Sequence, residues 1–228
     1  GWRAALGSAA VLAAAAALLW VPQALRPQPA AGEHTARRPY GALLRSPTTW
    51  AVTAFMGLQS MTFYIVLAWL PTIFHDAGLP ADQGGYLLGL TNLAQIAATL
   101  TVPVHAGRAR SQAPHVAAAA LLTTAGYACV LLLPTTLPWL WMIVLGLGQG
   151  ASIALALLII AQRAPDPASV TALSAIAQSI GYVLAALGPV AIGLIHQVSG
   201  GWTVPLLAGI GVCLLQLAAG VLAGRPRP

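Results

Sequence analysis

Hydrogen-bonding side chains recur at helical spacing inside long apolar runs of this sequence. The uncharged run from Pro47 to Phe74 holds Gln59, Ser60, Thr62 and Tyr64. The run from Gly85 to His105 holds Asn92, Gln95 and Thr99, spaced i, i+3, i+7 and therefore on one helix face. Gln149 and Ser152 stand beside a Gly146/Gly150 pair, and Ser174, Gln178 and Tyr182 follow at i, i+4, i+8. Amides and hydroxyls donate and accept hydrogen bonds without burying a charge. In lipid they serve either as links between helices or as the wall of a cavity for a small polar solute. Their recurrence in four separate runs favours a shared cavity for some of them. The predicted lining is Gln59, Tyr64, Asn92, Gln149, Gln178 and Tyr182, with Gln59 and Gln178 foremost.

Other chemistries find no residues. No Asp, Glu, Lys or Arg lies inside any apolar run, so a carboxylate proton relay has no seat there. His75, His105, His115 and His196 fall at run ends, where an interfacial placement is expected. Cys129 and Cys213 sit in apolar surroundings and read as packing residues rather than as a disulfide or metal pair. There is no phosphate-binding glycine loop, no Ser/His/Asp set and no HExxH, and the chain has no Lys for a retinal Schiff base. The expectation is a protein that is not an enzyme and carries no cofactor and no metal.

These side chains must be positioned by membrane-spanning helices. The 228 residues are 58% hydrophobic and only 6% charged, with mean hydropathy +0.81. A soluble domain carries roughly 25% charged residues. The net charge of +6 does not indicate nucleic acid, because the ten basic residues are all Arg and are scattered over loops. Seven spans are predicted: 4–21, 47–74, 85–105, 114–133, 139–161, 169–195 and 202–223. The first is longer than the apolar core of a signal peptide, ~7–15 residues, and reads as a span. Residues 22–46, rich in Pro and Arg, read as a flexible linker. With seven spans, nine Arg fall on one side and only Arg3 on the other, which makes the nine-Arg side cytoplasmic. In the second span, Ala54, Leu58, Met61, Ile65 and Ala68 form an apolar arc at about 100° per residue, expected to face lipid. Gly146/Gly150 and the Gly181, Ala185, Pro189, Gly193 seam predict close helix packing. Gly188-Pro189 is a possible kink.

Longer stretches resemble a known family. Gly57-Leu-Gln-Ser60, Phe63-Tyr64 and Ala68-Trp-Leu-Pro71 are similar to the seventh helix of cyanate/nitroimidazole-type transporters of the major facilitator superfamily. Leu145-Gly-Leu-Gly-Gln-Gly150 carries the same likeness. So do Ala177 to Pro189, Gly193-Leu-Ile-His196 and Gly201-Trp-Thr203. The resemblance covers about residues 47–224. It implies an all-α membrane protein with seven transmembrane helices, the C-terminal half of a twelve-helix fold that works by alternating access around a midplane site. Residues 1–22 would be the last helix of the N-terminal half, 23–46 the cytoplasmic link, 47–224 the second six-helix bundle and 225–228 a cytoplasmic tail. The implied partners are a small-molecule substrate, the lipid bilayer and an N-terminal half. The implied location is a bacterial inner membrane. Three positions depart from the family pattern. Gly107-Arg108 lacks the Asp of the superfamily's loop motif, Asn92 stands where the family has Gln, and Gln197 where it has an acid. A non-transporting remnant and a membrane receptor or scaffold are the rival readings. The short loops leave a receptor little surface for a partner.

Overall fold

The computed structural model describes residues 2–25, 40–164 and 166–226. It is helical, and it divides into two compact units, Gly1–Arg37 and Arg38–Pro228. The first unit contains α1 (Trp2–Ala24), an Ala-rich helix with Pro22 near its end. The linker read at 22–46 falls largely outside the described residues. Its described end is not a coil, because Tyr40–Leu44 forms a short helix, α2. The Trp50 indole donates to the Leu44 carbonyl at 2.8 Å and ties α2 to the helix that follows.

The second unit is a bundle of α3 (Pro47–Asp76), α4 (Ala81–Ala106), α5 (Ala113–Leu132), α6 (Pro138–Arg163), α7 (Pro167–Ser199) and α8 (Thr203–Gly224). Among the described residues these six are long and apolar enough to cross a membrane. Four of them, α3, α5, α6 and α7, begin with Pro in the first turn. The missing proline N–H costs nothing there, since first-turn amides have no intrahelical partner. At α7, Asp166 caps the helix by accepting the Ser169 amide at 3.0 Å and its hydroxyl at 2.6 Å. The helix ends on Gly200 at φ 70°, a left-handed conformation that favours glycine.

The helices α3 and α6 are central: 61% and 67% of their most apolar stretches are buried, against 17% for α4. α3 packs on α7 and α8, α6 packs on α4 and α5, and α5 also packs on α8. The arc on α3 expected to face lipid is instead largely covered. Ile65 is 3% exposed, and both Met61 and Ile65 press on Gly188 of α7. A helix with neighbours on most sides has no room for a lipid stripe, so its apolar arc became a helix-helix seam. The glycine expectations hold: Gly57 meets Gly181 backbone to backbone, and Gly146 and Gly150 meet the α4 backbone at Thr91 and Gln95.

Two apolar clusters fill the bundle. One includes Val52, Phe55, Val116, Leu155, Ile159 and Leu173. The other includes Ile65, Leu70, Tyr127, Met142, Leu145 and Cys213. Between them along the same helices lies a buried polar belt of Gln59, Ser60, Thr62, Thr123, Gln149, Ser152 and Gln216. Charge is kept to the helix ends. Arg45, Arg108, Arg110, Arg163 and Arg225 sit at the end where α3 starts, and Asp76 and Asp82 at the opposite end. At the Arg end the loop 107–112 is pinned down: the Gln112 amide and the Ser111 hydroxyl both donate to the Gly224 carbonyl, at 3.1 Å each. Arg163 reaches the Arg225 carbonyl beside them. At the acidic end Trp202 stacks between Trp69 and His196 and donates its indole N–H to Asp76 at 2.8 Å.

Candidate functional site

A cavity of about 140 Å³ opens beside the polar belt, lined by Gln59, Ser60, Phe63, Tyr64, Gln95, Ile153 and Tyr182. That volume holds several water molecules. It adjoins a wider space of about 290 Å³ lined by Tyr64, Tyr182, Ala186 and Pro189. Four helices supply the wall: α3, α4, α6 and α7. The α3 face follows from helical periodicity, since Gln59, Ser60, Phe63 and Tyr64 fall within one and a half turns and project to one side. Gln95 reaches the cavity because Gly150 lets the α4 and α6 backbones approach closely at that residue. The Thr99 hydroxyl reinforces the crossing by donating to the Gly150 carbonyl at 3.1 Å.

The polar atoms of the wall are unequal. The Gln59 Nε2 donates to the Met56 carbonyl at 3.1 Å and to the Ser60 hydroxyl at 2.7 Å. Both amide hydrogens are therefore committed, and Oε1 is the atom left to accept from a solute. Among the described residues the Tyr64 and Tyr182 hydroxyls and the Gln95 amide have no hydrogen-bond partner. The wall thus offers hydroxyl donors, amide donors and acceptors, and three aromatic faces. Phe63 and Tyr64 meet edge to face, with ring centroids 5.3 Å apart. No formal charge lies in the wall. A solute would be held by hydrogen bonds and ring contact, and any charge on it would have to be balanced from elsewhere.

Of the six residues predicted from sequence, the cavity brings together Gln59, Tyr64 and Tyr182. It does not include Asn92, which is half-buried on α4. Gln178 is also outside the lining, and its amide donates to Ser174 at 2.6 Å within α7. Gln149 is 2% exposed and lies behind the wall, donating to the Thr62 carbonyl at 3.2 Å. Its Oε1 is buried without a partner. Gln95 shares a helix face with Asn92, and the pattern alone could not say which of the two the α4–α6 crossing would expose. Sequence reasoning missed Gln216 altogether. The Gln216 Oε1 accepts from the Thr62 hydroxyl at 3.3 Å, and its Nε2 donates to Ser152 at 3.0 Å. The signal was available, since Gln216 is the single amide in the last apolar run.

Comparison with known proteins gives a consistent result. The family model described as Major Facilitator Superfamily matches residues 1–186. An uncharacterized transporter, YycB, of Bacillus subtilis (strain 168) is 38% identical over 229 residues, covering 100% of this chain and 56% of its own length. A 2-nitroimidazole transporter of Escherichia coli (strain K12) is 36% identical over 228 residues, covering 100% of this chain and 58% of its own length. The cyanate transport protein CynX of the same organism is 30% identical over 176 residues, covering 75% of this chain and 46% of its own length. The chain spans about half the length of these relatives.

Proposed function

The chain belongs to the Major Facilitator Superfamily, a family of multi-pass membrane transporters, and we propose that its helices α3 to α8 form the C-terminal half of a secondary transporter for a small solute. In this reading α1 is the seventh span and the last helix of the N-terminal half. Residues 23–46 link the halves on the cytoplasmic side, and the two halves rock around a central site in a bacterial inner membrane. The Arg-rich end of the bundle supports that orientation, because cytoplasmic loops carry the excess of Arg. The acidic end would face outward.

The observation that carries the reading is the cavity itself. An uncharged, hydrogen-bonding, aromatic pocket lies midway along helices that are otherwise apolar, opening from the belt between two apolar clusters. Interhelical glue needs no cavity, whereas a solute site does. The wall suits a small solute of the kinds named for the relatives, a nitroimidazole-like heterocycle or a cyanate-like anion. Neutral groups accommodate the heterocycle directly. An anion would need a compensating positive group from the N-terminal half. The test is uptake of radiolabelled 2-nitroimidazole and cyanate into proteoliposomes containing the full-length protein. Saturable uptake of either supports the reading, and transport of neither by a folded, oriented protein overturns the substrate assignment.

A further inference from the structure

The cavity face of α3 has a counterpart on its opposite side, where three helices converge on one residue. Thr62 is 1% exposed. Its carbonyl accepts from the Tyr127 hydroxyl of α5 at 2.7 Å and from the Gln149 Nε2 of α6 at 3.2 Å. In a regular α-helix that same carbonyl also takes the amide four residues on, that of Val66. The Thr62 hydroxyl has one proton and two acceptors in reach, the Gln59 carbonyl at 2.9 Å and the Gln216 Oε1 of α8 at 3.3 Å. Gln216, fully buried, passes the chain on to Ser152, whose hydroxyl donates to the Gly148 carbonyl at 2.8 Å. Neither Gln216 nor Tyr127 lines the cavity.

We infer that Gln216 and Tyr127 are positioning residues for the solute site, which they serve through Thr62 by fixing the α3 turn that carries Gln59, Ser60, Phe63 and Tyr64. The inference rests on the reading of the cavity as the solute site. The geometry argues for it in three ways. The knot sits on the same turn as the wall, and Thr62 lies between Ser60 and Phe63 in the chain. It joins α3 to α5, α6 and α8, so the turn is held from the side opposite the cavity. And Thr62 bonds directly to Gln59, the wall residue whose amide orientation decides which atom meets the solute. Packing alone would leave α3 free to rotate or slide by fractions of an ångström, because apolar contacts are not directional. Hydrogen bonds to one carbonyl and one hydroxyl specify a register.

The variants Gln216→Leu and Tyr127→Phe test this in the full-length protein reconstituted into lipid nanodiscs and proteoliposomes. Tyr127→Phe changes a single oxygen and guards against simple misfolding. Each should speed hydrogen exchange at amides 59–66 by about three- to tenfold, the range expected for losing one or two interhelical hydrogen bonds in a membrane. Each should raise KM for 2-nitroimidazole by a similar factor while leaving the maximal rate per transporter unchanged. In the neutral carboxylic form the Gln216→Glu side chain keeps one donor and one acceptor at the same reach. It should restore both readouts. Unchanged exchange at 59–66 in both variants overturns the inference, and so does loosened exchange with an unaltered KM. If the wild-type protein does not transport 2-nitroimidazole, the substrate assignment fails, and the exchange data alone decide the positioning role.

Discussion

The α4–α6 crossing makes a quantitative demand on Gly150. A methyl group there would fall on the Gln95 backbone, 2.7 Å from its Cα and 2.8 Å from its carbonyl carbon. Ordinary contact begins near 3.4 Å, so α4 must withdraw by about 0.7 Å, and backbone cannot swing aside as a side chain can. Overpacking of this kind costs ~1–3 kcal/mol. The shift also strains the Thr99–Gly150 hydrogen bond, which is worth about 0.6 kcal/mol. Against this, Ala gains ~1 kcal/mol of helix propensity over Gly. The net expectation for Gly150→Ala is a loss of about 1–2 kcal/mol and a melting temperature lower by about 2–6 °C. Gly89 supplies the control. A methyl at Gly89, on the α4 helix, meets nothing within 4 Å, so Gly89→Ala keeps the propensity gain and should melt at the same temperature or higher. The assay is thermal unfolding of the purified full-length protein in one detergent, all variants side by side. Gly150→Ala also displaces Gln95, so its solute affinity should fall while that of Gly89→Ala does not. If the two variants melt together, close packing at Gly150 does not hold α4 in place, and the account of how Gln95 reaches the cavity fails.

Two further outcomes are expected. Gln178→Ala should reduce uptake far less than Gln59→Ala at equal membrane abundance, because the Gln178 amide is engaged by Ser174 and lies outside the wall. Parallel uptake curves for the two variants decide this. Asp166 supplies a pH dependence outside the spans. Hydrogen bonds from the Ser169 hydroxyl, then the Ser169 amide, hold its carboxyl below the ordinary value of 3.8. A lowered folded value means that the cap is fully stabilising above the unfolded pKa and is lost as pH falls through the folded one. Protection of the Ser169 and Val170 amides should therefore persist down to about pH 4 and decline below it. In Asp166→Ala that protection should be low at every pH, as hydrogen-exchange protection factors would show.

Much of the fold was legible because membrane helices obey simple rules. The spans from Pro47 to Gly224 were visible as uncharged apolar runs, and the proline and glycine punctuation set their ends within a few residues. The glycine seams were readable because only close backbone approach explains small residues at helical spacing in lipid. The orientation of each face was harder. The arc of Ala54, Leu58, Met61, Ile65 and Ala68 is equally compatible with lipid and with a neighbouring helix, since both are apolar, and only α7 packing against Gly188 decides between them. The same ambiguity governs the amides. Gln59 and Gln149 look alike in sequence, yet one lines the cavity and the other bonds to a carbonyl behind it. Which amide does which depends on the rotation of each helix about its axis, and that is set by contacts far away in sequence. Gln216 illustrates the point: its role exists only where α3, α6 and α8 meet.

The central claim is that the Gln59–Tyr182 cavity is where the solute binds. The most direct measurement compares saturable uptake of radiolabelled 2-nitroimidazole by the wild-type full-length protein and by Gln59→Ala and Tyr182→Ala, all at matched membrane abundance in proteoliposomes. The account predicts that each variant raises KM at least severalfold, and that the double variant loses saturable uptake. Wild-type kinetics in both single variants would contradict it.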